Sequence, residues 1–74
     1  MKKENLYTIK YNLSYGKVIR LLSKEKPALI LRYDGAGGMV AIREDIMRKE
    51  GVNNEYEFTP TVQEILSYDD WEII

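Results

Sequence analysis

The sequence contains no cysteine and no histidine. Disulfides and zinc, the usual staples of a small core, are therefore excluded. Absent too are the commonest general base and the most reactive nucleophile of enzyme active sites. No polybasic tract is present. The 11 basic and 12 acidic residues are spread along the chain to a net charge of -1, so the electrostatic footprint for a DNA or RNA duplex is missing and no nucleic-acid partner is expected. No apolar run approaches the roughly 20 residues of a membrane span, and the N-terminus lacks the apolar core of a signal peptide. The expectation is a cytoplasmic protein with no membrane partner. What is present is a chain of 74 residues, 45% apolar, with six tyrosines, one phenylalanine and one tryptophan. That length fits one domain over residues 1–74. A chain this short buries only about 60% of its unfolded surface, which leaves tight packing and self-association to stabilise it.

Met1 to Asn5 reads as a charged lead-in. In Leu6–Tyr11, Tyr7, Ile9 and Tyr11 recur at period 2, which predicts a strand. Asn12 or Ser14 then caps a helix, and Tyr15, Val18, Ile19 and Leu22 at i, i+3, i+4 and i+7 predict that helix from about Ser14 to Lys24, before Pro27. Tyr7, Tyr11 and Tyr15 are expected to join strand to helix in the core. Ala28–Tyr33 alternates too little to face water on one side and reads as a central strand. Asp34–Gly38 is a glycine-rich turn and Met39–Arg43 the returning strand of a hairpin. Asp45 is positioned to cap one helical turn closed by Gly51, with Ile46 and Met47 inward. Tyr56–Phe58 predicts a short strand. Pro60 fits the first turn of a short helix capped by Thr59, with Val62, Ile65 and Leu66 on its core face. Asp69-Asp70 ends that helix, and Trp71–Ile74 reads as a last strand, with Trp71 in the core. The predicted fold class is α+β: a small, largely antiparallel sheet, one main helix after the first strand and a short helix before the last.

Chemistry-bearing residues are few. Gly35-Ala36-Gly37-Gly38 fits a plain hairpin turn, or a turn whose backbone N–H groups touch a phosphate, although it matches no nucleotide-binding fingerprint. Glu44-Asp45 and Asp69-Asp70 are adjacent pairs, and neighbours on a strand point to opposite faces, so neither makes an acid/base couple. No enzymatic activity is expected. Arg32 beside Tyr33 offers a planar fork for phosphate and a ring for stacking, against the simpler reading of a surface arginine at a strand end.

Ser14-Tyr15-Gly16-Lys17-Val18-Ile19-Arg20-Leu21-Leu22 resembles the helix that opens the Thoeris anti-defense 2 family of small phage proteins. Leu31-Arg32-Tyr33, with the glycine turn and Met39 after it, is similar to that family's arginine–glycine segment. Phe58 to Leu66, followed by Asp70-Trp71-Glu72-Ile73-Ile74, is similar to its ending, the most specific piece. The resemblance runs from Tyr11 to the C-terminus. Lys17 stands in place of the family's glutamate, Tyr33 is the aromatic nearest a missing tryptophan, and Phe58 replaces a second one. One extra residue separates Leu66 from Trp71, and the central region is shorter than in many members.

The resemblance implies a non-catalytic sponge, free of cofactors. Such a protein binds a cyclic nucleotide or ADP-ribose-derived immune signal, such as glycocyclic ADP-ribose, in pockets between the subunits of a homo-oligomer, a dimer or tetramer. It points to Arg32 for phosphate, Tyr33 and Phe58 for stacking, and Thr61 and Gln63 for polar contacts. Asp70 either takes a ribose hydroxyl or caps the final turn. An alternative is a small phage or prophage protein that binds a host protein through a sheet edge or its tyrosine-rich face. A structural accessory domain is a third reading.

Overall fold

The computed structural model describes residues 1–74. Helix α1 (Glu4–Ser14) comes first, followed by strands β1 (Ile19–Leu22), β2 (Leu29–Tyr33) and β3 (Met39–Arg43). Helix α2 (Glu44–Glu50), a 3-10 turn at Asn54–Tyr56, helix α3 (Val62–Leu66) and strand β4 (Asp70–Ile73) complete the chain. The four strands form one antiparallel sheet in the order β3-β2-β1-β4. The α+β class with an antiparallel sheet is as expected. The helix order is not, because the main helix precedes the first strand.

The N-terminal third is where the pattern misleads. Leu6, Ile9 and Leu13 are spaced for a helix, and they are the side chains that α1 turns to the core, with Ile9 and Leu13 fully covered. Tyr7 and Tyr11, read as an inward strand face, instead lie on the exposed side, as does Tyr15, so none of the three joins the core. Ser14 ends this helix rather than starting one. Gly16 takes φ +81°, its N–H donates to Leu13 O, and Lys17 N–H donates to Asn12 O. This is the glycine-terminated C-cap in which the chain reverses out of a helix. The expected helix over Ser14–Lys24 is consequently a turn and then β1, where Ile19 and Leu21 are buried and Arg20 and Leu22 half-buried. The segment that resembled the family's opening helix does not form one here.

The hairpin Ala28–Arg43 forms with the expected turn, pairing Leu29 with Arg43 through Tyr33 with Met39. Asp34 organises that turn: its Oδ1 accepts from Ala36 N–H at 2.7 Å and from Gly38 N–H at 2.9 Å. Gly38 leaves room for this carboxylate, since a Cβ there would lie 2.7 Å from Asp34 Oδ2. In α2, Ile46 and Met47 are half-buried and Gly51 N–H closes the helix on Met47 O. Asp45 lies inside the first turn, bonding Ile46 N–H and Arg43 instead of capping. The expected strand Tyr56–Phe58 contracts to a single bridge between Phe58 and Ala41, because Tyr56 belongs to the 3-10 turn. The cap of α3 is Thr61, two residues later than expected. Its Oγ1 accepts from Glu64 N–H while Glu64 Oε1 accepts from Thr61 N–H, a reciprocal capping box.

One face of the sheet carries Ile19, Leu21, Leu29, Leu31 and Ala41, and is sealed by Ile9 and Leu13 of α1, Ile65 of α3, and Tyr68. Trp71 is half-buried against this inner core. The outer face carries Arg20, Ile30, Arg32, Val40, Ile42 and Glu72, beneath the short α2. No helix is long and apolar enough to cross a membrane.

Candidate functional site

The main concavity lies where α1 meets the tip of the β2–β3 hairpin. It holds about 410 Å³ and is lined by Lys10, Leu13 and Ser14 of α1, Tyr33, Gly37, Gly38 and Met39 of the hairpin, and Thr59, Pro60, Val62 and Ile65. Its floor is apolar. Its polar groups are the Lys10 ammonium, the Ser14 and Thr59 hydroxyls, and the Tyr33 hydroxyl. The last accepts from Gly37 N–H at 2.9 Å, which leaves its own proton free to donate into the cleft.

Of the residues proposed from sequence, Tyr33 lines this cleft. Arg32, its neighbour on the strand, faces the opposite side of the sheet, as alternation requires. There it forms a bidentate pair with Glu57, Nε to Oε2 at 2.8 Å and Nη2 to Oε1 at 2.9 Å. The Glu57 side chain is only 6% exposed, while that of Arg32 is 46% exposed. A ligand phosphate competing for this fork would leave a nearly buried carboxylate unpaired, which is strongly unfavourable. The pairing also raises the Arg32 pKa, so the guanidinium remains charged.

Phe58 bridges to Ala41 along the outer side of β3, directly before the cleft-lining Thr59. Thr61 uses its hydroxyl in the α3 cap. Gln63 is exposed on α3, next to the cleft-lining Val62. Asp70 pairs with Leu22, at the end of the sheet away from the Tyr33–Met39 pair, and its Oδ1 accepts from Trp71 N–H. The six residues therefore do not converge on one site.

The glycine turn offers little to an incoming anion. Three of its N–H groups are already engaged, those of Ala36 and Gly38 by the Asp34 carboxylate and that of Gly37 by Tyr33. Those backbone donors hold the Asp34 carboxyl below the ordinary carboxylate range, so the turn carries its own anion. No three acidic side chains gather closely enough to bind a metal ion.

Lys10, Ser14 and Thr59 enter the cleft without having been singled out from sequence. The signal that finds Lys10 and Ser14 is Gly16 read as a helix end, because that places both on α1 beside Leu13. For Thr59 no local signal exists. Compared with protein-family models, curated proteins and solved structures, the chain matches none.

Proposed function

We propose that this chain is a non-catalytic phage anti-defense sponge that sequesters a cyclic nucleotide or ADP-ribose-derived signal. The observation that carries the reading is the cleft between α1 and the hairpin tip. Its volume of about 410 Å³ is within the range of small-molecule sites, and its lining combines one aromatic ring, Tyr33, and one lysine outside any salt bridge, Lys10, with apolar side chains. Tyr33 stacks on base or ribose and Lys10 takes the phosphate, the role first given to Arg32. Thr61 and Gln63 flank the cleft-lining Val62 in sequence, and a second copy of the chain closes the open side in a dimer or tetramer. Asp70 lies at the end of the sheet away from the cleft.

Isothermal titration with ADP-ribose derivatives and cyclic dinucleotides tests this. Saturable binding of at least one, with ligand recovered intact, is the expected result. Tyr33→Ala and Lys10→Glu should each weaken it about tenfold or more, as loss of a stacked ring or a charge-assisted bond does. No binding across the panel, or variants that bind as wild type does, contradicts the reading.

A second reading, a host-protein binder, is favoured by one specific feature. Strand β4 is the outer strand of the sheet, with Ile73 and Ile74 exposed. On the outer face of the sheet, reaching Ile74 just past the end of β4, lies an apolar hollow of about 240 Å³ lined also by Val18, Ile30, Ile42, Met47 and Val52 with Arg32 and Glu57. An unpaired edge beside such a hollow suits an added strand from another protein.

A further inference from the structure

Helix α1 has a second face, turned away from the core, and it is unlike the rest of the surface. Tyr7, Tyr11 and Tyr15 are 82%, 63% and 68% exposed. At i, i+4 and i+8 they form one row along the helix, about 6 Å per step. The Tyr11 and Tyr15 rings stand 4.9 Å apart, tilted by 51°. Lys3 and Lys10, seven residues apart, lie alongside this row, and Lys17 follows at its end. Two shallow hollows repeat the same combination. One is lined by Lys3, Leu6, Tyr7 and Lys10, the other by Tyr11, Asn12, Tyr15 and Lys17.

The charges point the same way. Arg20, Arg32, Arg43 and Arg48 are all engaged with carboxylates of the chain, and no lysine is in a salt bridge. Residues 1–17 hold four lysines against the single Glu4, so seven basic and eleven acidic residues remain for the other 57. Four of the seven lysines, none of them in a salt bridge, thus lie in the segment that carries the exposed rings. In the sequence these lysines are too dispersed to register as basic, and the helix gathers them.

We propose that this face binds single-stranded nucleic acid, the tyrosines stacking on successive bases and the lysines contacting the phosphates between them. A planar group and a negative charge, repeated along a line, are what the two hollows accommodate. Single strands present both, while a duplex hides its base faces. A lipid surface fits poorly, because Leu6, Ile9 and Leu13 face the core and leave no apolar side chain to insert. A second copy of α1 would bring lysine row against lysine row. An acidic protein segment supplies the charge without the stacking faces.

The test is fluorescence anisotropy with labelled 12-nucleotide oligo-dT and oligo-rA at 50 mM salt, using the full chain. Saturable binding is expected, weakening with salt at a logarithmic slope of about -2 for three lysine contacts to a single strand. Tyr11→Ala with Tyr15→Ala should lower affinity about tenfold or more, and Lys17→Glu should reduce both affinity and slope. All three residues are exposed, so circular dichroism melting should leave the fold unchanged. Lys10 borders both the cleft and this face, so Tyr33→Ala, which should leave oligonucleotide binding intact, is the variant that separates the two. The proposal is overturned by absent binding, by affinity unaffected in the double tyrosine variant, or by equal binding of a matched duplex or of poly-glutamate.

Discussion

On the inner face of the sheet, Ile19, Leu21, Leu29 and Leu31 are sealed beneath α1 and α3 without a charged side chain among them. On the outer face, Ile30 and Ile42 are buried, but the surrounding structure is held by ion pairs. Arg20 bridges Glu44 of α2 and Glu72 of β4 at 2.8 and 2.9 Å, Arg48 joins Glu44 at 3.0 Å, and Arg32 clasps Glu57. One sheet thus rests on two kinds of interaction. Apolar burial stabilises the inner face in proportion to area and is insensitive to pH. Partly exposed pairs contribute less, and they weaken with salt and acid. The short α2 covers too little of the outer face to seal it, so charge completes what packing does not.

The sharpest way to break this contrast is on the inner face. Leu31→Ala removes a fully buried side chain from the central strand and should cost about 2–5 kcal/mol, enough to unfold much of a domain of this size. Chemical denaturation measures it, and a loss under 1 kcal/mol would contradict the assigned core. Next in size is Gly16→Ala. It forces an alanine into the left-handed region at the α1 C-cap and should cost about 1–2 kcal/mol.

Smaller still is the response of the outer face to pH. The hydrogen bonds from Arg20 hold the Glu44 carboxyl below the ordinary glutamate value, and at the end of β3 Arg43, which pairs with Leu29 of the inner face, does the same for Asp45. A carboxyl whose folded value is depressed adds stability above its unfolded value, and that stability is lost as pH falls through the folded one. The melting temperature should therefore decline below about pH 4. Glu44→Gln should lower it at pH 7 and make the acid decline shallower, with Asp34 and Asp45 supplying the remainder. An acid limb of unchanged steepness would remove Glu44 from the account. The smallest effect belongs to Tyr11→Ala, exposed on α1, which should change stability by no more than about 0.5 kcal/mol. A larger loss would mean that the ring is part of the packing.

The same contrast explains which parts of the structure were legible in the sequence. The β2–β3 hairpin, the closure of α2 at Gly51, the helix before Asp70 and the terminal strand announce themselves through turn, cap and breaker residues, and each forms. The N-terminal third has two self-consistent patterns. Tyr7, Ile9 and Tyr11 fit a strand, while Leu6, Ile9 and Leu13 fit a helix. Tyrosine is equally acceptable on a buried or an exposed face, so only the tertiary burial of Ile9 and Leu13 decides. A helix ending at Gly16 in turn frees Ile19–Leu22 to become β1. The site suffers for a related reason. Arg32 reads as available in the sequence because its partner Glu57 lies 25 residues away, and Lys10 and Tyr33 come to line one cleft only once α1 has packed against the sheet.

The most direct test of the central claim, that the cleft at Tyr33 and Lys10 holds a nucleotide-type signal, is native mass spectrometry of protein purified from cells with an active signalling defence system. The expected result is an oligomer carrying nucleotide-sized extra mass that denaturation releases intact and that Tyr33→Ala fails to retain. A bare monomer, or a bound mass that Tyr33→Ala retains in full, would contradict it.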